Sequence, residues 1–146
     1  MQIGADERVA FIGKTGSGKT YAAGVLALAI PRLIVLDPKG TLGDAFRAER
    51  GLYSWHLDDI DTEAGQDTKR ALERGEPGRL RVPITVPAMA EGWFRWAFEN
   101  APITVYIDEL YGVITGTKAG HWLTALYTRG RELGIGTWAA TQRPAW

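Results

Sequence analysis

The chain carries the sequence GKTGSGKT at residues 13–20. This stretch fits the pattern G-x-x-x-x-G-K-[ST], in which a glycine-rich backbone turns its N–H groups inward toward phosphate oxygens. It follows a short apolar run, RVAFI at residues 8–12, and opens a largely apolar segment at residues 19–30. A strand, a glycine-rich turn and a helix in that order are the setting in which this pattern binds phosphates. The stretch therefore predicts a Walker A loop between a strand and a helix.

The residue types of the loop each have a chemical reason. Glycine reaches backbone conformations that are closed to other residues, and the helix that begins near Lys19 adds the positive end of its dipole. We expect the Lys19 ammonium to contact the β- and γ-phosphates of ATP and the Thr20 hydroxyl to bind Mg²⁺. The residues predicted to hold the nucleotide form the whole loop: Gly13, Lys14, Thr15, Gly16, Ser17, Gly18, Lys19 and Thr20.

Short apolar runs alternate with helix-like stretches along the rest of the chain. Strands are expected at residues 8–12, 33–36, 79–83, 103–107 and 137–140. Helices are expected at residues 19–30, 68–74, 91–100 and 121–133. The alternation predicts an α/β fold with a mainly parallel sheet and helices on both faces. The first of these helices is apolar nearly all round, and we expect it to be buried.

Asp108 and Glu109 directly follow the most strand-like run of the chain, ITVYI at residues 103–107. A carboxylate at the end of a buried strand beside a phosphate loop can hold Mg²⁺, and we assign this role to Asp108. A second carboxylate directly after it can accept a proton from an attacking water, the role we assign to Glu109. The pair favours an ATPase over other classes that use a Walker A loop.

Other classes fit the sequence less well. Residues 37–40 match the D-x-x-G of GTPases, but neither an N-K-x-D motif nor the L-S-G-G-Q-like signature of ABC transporter ATPases occurs. A small-molecule P-loop kinase stays open: Asp37 would orient the acceptor hydroxyl, and Arg129 or Arg131 would act as lid arginines. Such a kinase has no use for Glu109 as a base. A nucleotide-dependent assembly module, in which hydrolysis is incidental, is the non-enzymatic alternative.

The C-terminal part of the chain carries a resemblance to a known family. TRGRELGIG at residues 128–136 leads into TWAATQRP at residues 137–144. With the Walker A loop, the VLDPK stretch at residues 35–39 and the Asp108-Glu109 pair, the sequence resembles the FtsK/HerA superfamily of DNA-pumping ATPases. That superfamily includes viral genome-packaging and conjugation motors. The four motifs occur in the family's order and span nearly the whole chain.

The resemblance implies a RecA-like core in which the strand before Gln142 lies between the Walker A strand and the strand of Asp108. It implies that Gln142 senses the γ-phosphate, and an amide at such a strand end can also hydrogen-bond the attacking water. It further implies that an arginine reaches the nucleotide of a neighbouring subunit. The family pattern aligns Arg131 with that role, whereas helical spacing places Arg129 on the apolar stripe of residues 122, 126 and 133.

As a function, the resemblance implies an ATP- and Mg²⁺-dependent motor that translocates or packages double-stranded DNA as a homo-oligomeric ring. Pore loops of such a ring hold phosphates without reading bases. Residues 112–120 are one candidate loop, with Lys118 as its only cation, and residues 39–50 are another. A portal or another assembly partner fits the packaging role. The aromatic residues at 93–98 are expected to serve the core or a subunit contact rather than base stacking.

Composition narrows the partners and the compartment. Lys and Arg total 17, as do Asp and Glu, which disfavours binding of nucleic acid through bulk positive charge. No cysteine occurs, which excludes disulfides, thiolate catalysis and cysteine-based zinc sites. Neither a bilayer-length apolar stretch nor a signal-peptide pattern is visible, so we expect the cytoplasm, or the host cytoplasm for a viral protein.

The length favours one P-loop ATPase domain over all 146 residues. Members of the family continue with at least one more strand after the glutamine strand. This chain is therefore expected to be truncated or minimal at its C-terminal end, or to have its first strand covered by a partner.

Overall fold

The computed structural model of the protein describes residues 3–14, 18–43, 55–114 and 118–142. Its strands are β1 (Arg8–Ile12), β2 (Arg32–Asp37), β3 (Asp58–Asp59), β4 (Gly78–Pro83), β5 (Ile103–Asp108) and β6 (Ile135–Thr141). Its α-helices are α1 (Lys19–Ala27), α2 (Glu63–Glu73), α3 (Ala88–Glu99) and α4 (His121–Arg129). Two 3₁₀ turns cover Leu110–Val113 and Gly130–Leu133.

The strands form one sheet in the order β1-β6-β5-β2-β4-β3, and every neighbouring pair is parallel. β6 therefore lies between β1 and β5, as the resemblance implied. The carboxyl ends of parallel strands meet at one edge of the sheet, which is where open α/β folds bind their ligands. That edge collects the phosphate loop after β1, Asp37, Asp108 and the end of β6.

The central strands are buried on both faces, because successive side chains point to opposite sides of the sheet. On β2, Ile34 and Leu36 belong to one apolar cluster, whereas Leu33 and Val35 belong to a second. The first cluster holds the buried side chains of α2, α3 and α4, and the second holds those of α1. The predicted architecture, a parallel sheet with helices on both faces, is confirmed.

The aromatic residues at 93–98 lie in α3, against the first apolar cluster. Phe94 is fully buried there, and Trp93, Trp96 and Phe98 are partly buried against the same cluster. The expectation of a core role for this group is confirmed. None of the helices in the described ranges is long and apolar enough to cross a membrane.

The prediction that α1 is buried is wrong for one side of the helix. The exposed fractions of Tyr21, Val25 and Leu28 are 63%, 44% and 46%. Because the helix is apolar nearly all round, its sequence contains no polar face from which the exposed side could be read. α1 also ends at Ala27 rather than at residue 30.

α2 begins at Glu63, well before the predicted start at residue 68. Thr62 caps the helix, since its side chain accepts a hydrogen bond from the N–H of Gly65 at 3.0 Å. Such a cap satisfies one of the free N–H groups of the first turn. The two-residue strand β3, just before this cap, lies in a stretch where no strand was predicted from the sequence.

The helix predicted at residues 121–133 ends at Arg129, where the chain tightens into a 3₁₀ turn. Gly134 follows with φ +78°, a left-handed conformation that glycine adopts at little cost. The chain then enters β6 at Ile135, two residues before the predicted strand. As a result Leu133, predicted on the same stripe as Arg129, is 51% exposed.

Candidate nucleotide site

The carboxyl ends of β1, β6 and β5 bring three predicted site residues together. The N–H of Gly13, directly after β1, donates to the carbonyl of Thr141 at 3.3 Å, directly before Gln142. The Thr141 hydroxyl donates to Oε1 of Glu109 at 3.3 Å. The start of the phosphate loop, Gln142 and Glu109 therefore follow adjacent strand ends, each about 4.8 Å from the next across the sheet.

Glu109 has an unusual backbone conformation. Its φ is +93°, a region that residues other than glycine rarely adopt. Its side chain is only partly buried, so the carboxylate is accessible at the edge of the sheet. Such strain persists only where the surroundings impose it, and it clusters at functional sites.

Lys19 lies over the beginning of the phosphate loop. Its Nζ donates to the carbonyls of Gly13 at 2.6 Å and Lys14 at 2.9 Å. Gly18 precedes α1 with φ +86°, which a residue with a side chain would adopt only with strain. The Lys19 ammonium is thus held at the loop rather than extended into solvent. The middle of the loop, residues 15–17, lies outside the described residues.

Asp108 is fully buried at the end of β5. Its Oδ1 accepts a hydrogen bond from the Tyr106 hydroxyl at 3.0 Å, and its Oδ2 accepts one from the Thr41 hydroxyl at 3.3 Å. Burial raises the pKa of Asp108, and the charge of Lys39 opposes that rise. Lys39 Nζ is 3.9 Å from Oδ2, so this lysine of a candidate DNA-contacting segment lies beside the carboxylate. Residues 44–50 of that segment are outside the described ranges.

The Tyr106 phenol is a hydrogen-bond partner of Asp108 within the same strand. Its side chain is fully buried, and its hydroxyl donates to Oδ1 of Asp108 at 3.0 Å. Burial, together with the charge of Asp108, raises the pKa of Tyr106, so the phenol keeps its proton. Thr20, in the first turn of α1, and Asp108, at the end of β5, both lie at the carboxyl edge of the sheet. Hydroxyl and carboxylate oxygens are ligands that Mg²⁺ accepts, so these two residues fit the ion.

Asp37, at the end of β2, takes part in a buried ion pair. Its Oδ2 accepts hydrogen bonds from Arg81 Nε at 2.8 Å and from the N–H of Leu42 at 2.9 Å. Its Oδ1 accepts one from the N–H of Thr41 at 3.2 Å. Arg81 also pairs with Asp59 at 3.0 Å. The carboxylate that a kinase would use to orient an acceptor is therefore engaged in holding the turn after β2.

Sequence reasoning missed Tyr106 and Arg81. Tyr106 lies inside β5 and Arg81 inside β4, and both side chains are buried. Polar groups inside buried strands need hydrogen-bond partners, so their position was a signal that partners existed. The sequence alone does not identify those partners.

Arg129 and Arg131 lie toward the opposite edge of the sheet. Both are exposed, and both precede β6, whose far end leads to Gln142. β6 has seven residues, a length of about 20 Å. Neither arginine is therefore beside the phosphate loop of its own chain. Lys118 is exposed and lies just before α4.

Comparison with known proteins gives matches among solved structures only. No family profile and no curated protein matches the sequence. The genome packaging NTPase B204 from Sulfolobus turreted icosahedral virus 2, in complex with AMPPCP, is 16% identical, with a TM-score of 0.66 over 97% of this chain and 67% of that chain. Its complex with sulfate is 17% identical, with a TM-score of 0.70 over 98% and 67%. B204 of Sulfolobus turreted icosahedral virus, described as a DNA-packaging ATPase, is 19% identical, with a TM-score of 0.67 over 98% and 69%.

The chain therefore has the α/β RecA-like P-loop fold of a viral genome-packaging NTPase. The resemblance that the motifs predicted is confirmed at the level of the fold. The chain spans about two thirds of the length of these structural relatives.

Proposed function

We propose that this chain is an ATP-hydrolysing motor domain that translocates or packages double-stranded DNA as a homo-oligomeric ring. One observation carries the proposal: Gly13, Glu109 and Gln142 meet on adjacent strand ends. Thr20, in the first turn of α1, and Asp108, at the end of β5, lie at the same edge of the sheet. The fold shared with a packaging NTPase in complex with AMPPCP supports the assignment.

Nucleotide binding would use the Walker A loop. The N–H groups of the loop would hold the phosphates, and the Lys19 ammonium would move from the carbonyls of Gly13 and Lys14 to the β- and γ-phosphates. Thr20 and Asp108 would hold Mg²⁺, which supplies charge neutralisation at the phosphates.

Hydrolysis would use the carboxylate that remains accessible. Glu109 accepts the proton of the attacking water, and the hydrogen bond from Thr141 orients it. Gln142, on the neighbouring strand end, hydrogen-bonds the γ-phosphate or the water. An arginine completes the site, and Arg131 or Arg129 would have to come from a neighbouring copy because both lie toward the far edge of their own sheet.

The remaining roles concern DNA and assembly. Lys118, exposed before α4, would contact DNA phosphates in the pore. A portal or another assembly partner would tether the ring, and the cytoplasm, of a host cell for a viral protein, fits such a machine. The kinase alternative is less well supported, because Arg81 and two backbone N–H groups already occupy Asp37.

The ATPase rate per subunit, measured against protein concentration with and without duplex DNA, tests the proposal. A motor with shared sites should show a rate per subunit that rises steeply with concentration and rises again with DNA. Glu109→Gln should still bind ATP but hydrolyse it about 10²–10⁴-fold more slowly. Glu99→Gln is the matched control, since Glu99 is an exposed glutamate of α3 paired with Arg95 at 3.0 Å.

Other results of the same experiment would indicate one of the two alternative functions, a kinase or an assembly module. A rate that ignores protein concentration and needs a small-molecule acceptor would indicate a kinase. Oligomers that form with ATP but do not respond to DNA would indicate an assembly module. Either result contradicts the motor.

A further inference from the structure

The turn after β2 brings a lysine to the end of β5. The two strands are neighbours in the sheet, with Leu36 in register with Ile107, so the residues that follow them lie side by side. Lys39 Nζ is 3.9 Å from Oδ2 of Asp108. The Lys39 side chain is 37% exposed, whereas that of Asp108 is fully buried. The ammonium therefore lies on the solvent side of the carboxylate, at the edge where the nucleotide is proposed to bind.

The backbone around Lys39 is held from both sides. Pro38, directly before it, packs so closely against the 3₁₀ turn after β5 that a Cβ on Gly112 would lie 2.6 Å from Cβ and Cγ of the proline. On the other side, the N–H of Thr41 donates to the Asp37 carboxylate at 3.2 Å. The fold of the turn therefore directs the lysine to the end of β5, and its flexible four-carbon stem supplies the remaining freedom.

Lys39 is not committed to either carboxylate of this edge. Asp37, two residues before it, is paired with Arg81 at 2.8 Å. Asp108 accepts hydrogen bonds from two hydroxyl groups, at 3.0 and 3.3 Å, in addition to its longer contact with Lys39. The ammonium can therefore turn to another anion while Asp108 keeps both of its hydrogen bonds.

We propose that Lys39 is a second phosphate-binding lysine of the nucleotide site, rather than a DNA contact of the segment at residues 39–50. The inference rests on the proposed nucleotide site and extends it. An ion held by Thr20 and Asp108 lies against the phosphates that it neutralises, so a cation beside Asp108 is beside those phosphates as well. A triphosphate and the Asp108 carboxylate carry more negative charge than Lys19 and one Mg²⁺ ion neutralise, and Lys39 supplies a further positive charge.

The direction of the change on substitution distinguishes this role from a simple counter-ion of Asp108. A lysine that only neutralised Asp108 would repel Mg²⁺, so its removal would tighten the binding of Mg²⁺ and nucleotide. A lysine that binds a phosphate attracts the nucleotide, so its removal loosens binding. The two roles therefore predict changes of opposite sign in the Kd for the nucleotide.

The test is a titration of the full chain with a fluorescent ATP analogue, in Mg²⁺ and in EDTA. Lys39→Gln should raise the Kd about 10-fold or more in both conditions, because a hydrogen bond between charged groups is lost. Lys39→Arg keeps the charge and should bind nearly as tightly as the wild type. Lys69→Gln is the matched control and should match the wild type, since Lys69 is a lysine of α2 with a 30% exposed side chain paired with Glu73. An unchanged or lower Kd for Lys39→Gln would overturn the proposal.

A double substitution carries the test if Lys39→Gln does not fold. Asp108→Asn removes the buried charge, so the loss of Lys39 no longer leaves a carboxylate without its counter-ion. In EDTA, adding Lys39→Gln to Asp108→Asn should still raise the Kd about 10-fold. If the second substitution has no further effect, Lys39 acts through Asp108 alone and the proposal is wrong.

Binding of a fluorescent DNA duplex, measured without nucleotide over a range of salt concentrations, tests the DNA-contacting role. Lys39→Gln should keep the affinity of the wild type and its dependence on salt. A lysine that contacts a DNA phosphate would instead weaken binding on substitution and reduce the salt slope by about 1. That result would assign Lys39 to DNA and contradict the proposal.

The proposed function can fail separately. Nucleotide binding that depends on Lys39, in a chain whose hydrolysis does not respond to duplex DNA, contradicts the motor and supports the role of Lys39. DNA-stimulated hydrolysis with unchanged nucleotide affinity in Lys39→Gln contradicts only the role of Lys39. A wild-type chain that does not bind the ATP analogue contradicts both.

Discussion

Buried charge is the most costly feature of this site, and two carboxylates carry it. Asp37 and Asp108 are 1% and 0% exposed. Asp37 is compensated by Arg81 and by two backbone N–H groups, whereas Asp108 has two hydroxyl donors and a lysine at 3.9 Å. Asp37 therefore serves the structure of the turn after β2, whereas Asp108, which has no arginine partner among the described residues, is the carboxylate proposed to hold Mg²⁺.

Arg81→Met tests the structural role of the ion pair. Methionine keeps an apolar stem but leaves Asp37 buried without its counter-ion, so the free energy of unfolding should fall by about 3–5 kcal/mol in urea denaturation. Arg74→Met is the control, because Arg74 pairs with Glu76 at 2.9 Å where both side chains are more than half exposed. That variant should be indistinguishable from the wild type. Equal losses in the two variants would contradict the assignment.

At the scale of elements, helices and strands could be predicted where a pattern of neighbouring residues in the sequence indicates them. The runs that became β2 and β5 were recognised because nearly continuous apolar runs indicate buried parallel strands. The start of α2 was missed, although Thr62 is a good N-cap residue. The first turn of the helix is polar, so the sequence there lacks the apolar residues whose helical spacing would indicate a helix. The exposed side of α1 was missed for the opposite reason, since that helix has no polar side.

A pair of glycine substitutions tests whether the first turn of α2 packs directly against the backbone of Asp59. A Cβ on Gly65 would lie 1.7 Å from the carbonyl oxygen of Asp59, so Gly65→Ala should displace the helix start and lower the melting temperature. A Cβ on Gly92, within α3, would meet nothing within 4 Å. Gly92→Ala should therefore stabilise the protein by about 0.5–1 kcal/mol through helix propensity. If both substitutions stabilise the protein, the first turn of α2 does not pack against the carbonyl of Asp59.

At the scale of the whole molecule, the site of one chain is proposed to be incomplete. The Walker A loop, Glu109 and Gln142 lie at the carboxyl edge of the sheet, whereas Arg129 and Arg131 lie toward the other edge. Among the described strands, β1 pairs only with β6. Head-to-tail contacts between copies join two different surfaces and can close into a ring. An arginine of one copy would then reach the nucleotide of the next.

Mixing variants tests this arrangement. Arg131→Ala should lower hydrolysis about 10³-fold or more, and Glu109→Gln should lower it about 10²–10⁴-fold for lack of a base. In mixed rings, a copy with an intact Glu109 can receive Arg131 from a Glu109→Gln neighbour, so activity should return at about a quarter of the sites. Arg129→Ala mixed in the same way shows whether Arg129 carries the role instead. If neither mixture recovers activity, the arginine does not act between copies.

The sequence by itself determined that a glycine-rich stretch falls between β1 and α1, the order of the main elements, and the strand-end positions of Asp108, Glu109 and Gln142. These features are local, because glycine spacing, apolar runs and the residue that follows a strand can be read from a few neighbouring positions. Only the tertiary structure decided that the Thr41 hydroxyl donates to Asp108, that Arg81 compensates Asp37, and which side of α1 faces solvent. Those contacts join residues from separate elements, so they depend on strand register and helix packing rather than on local pattern.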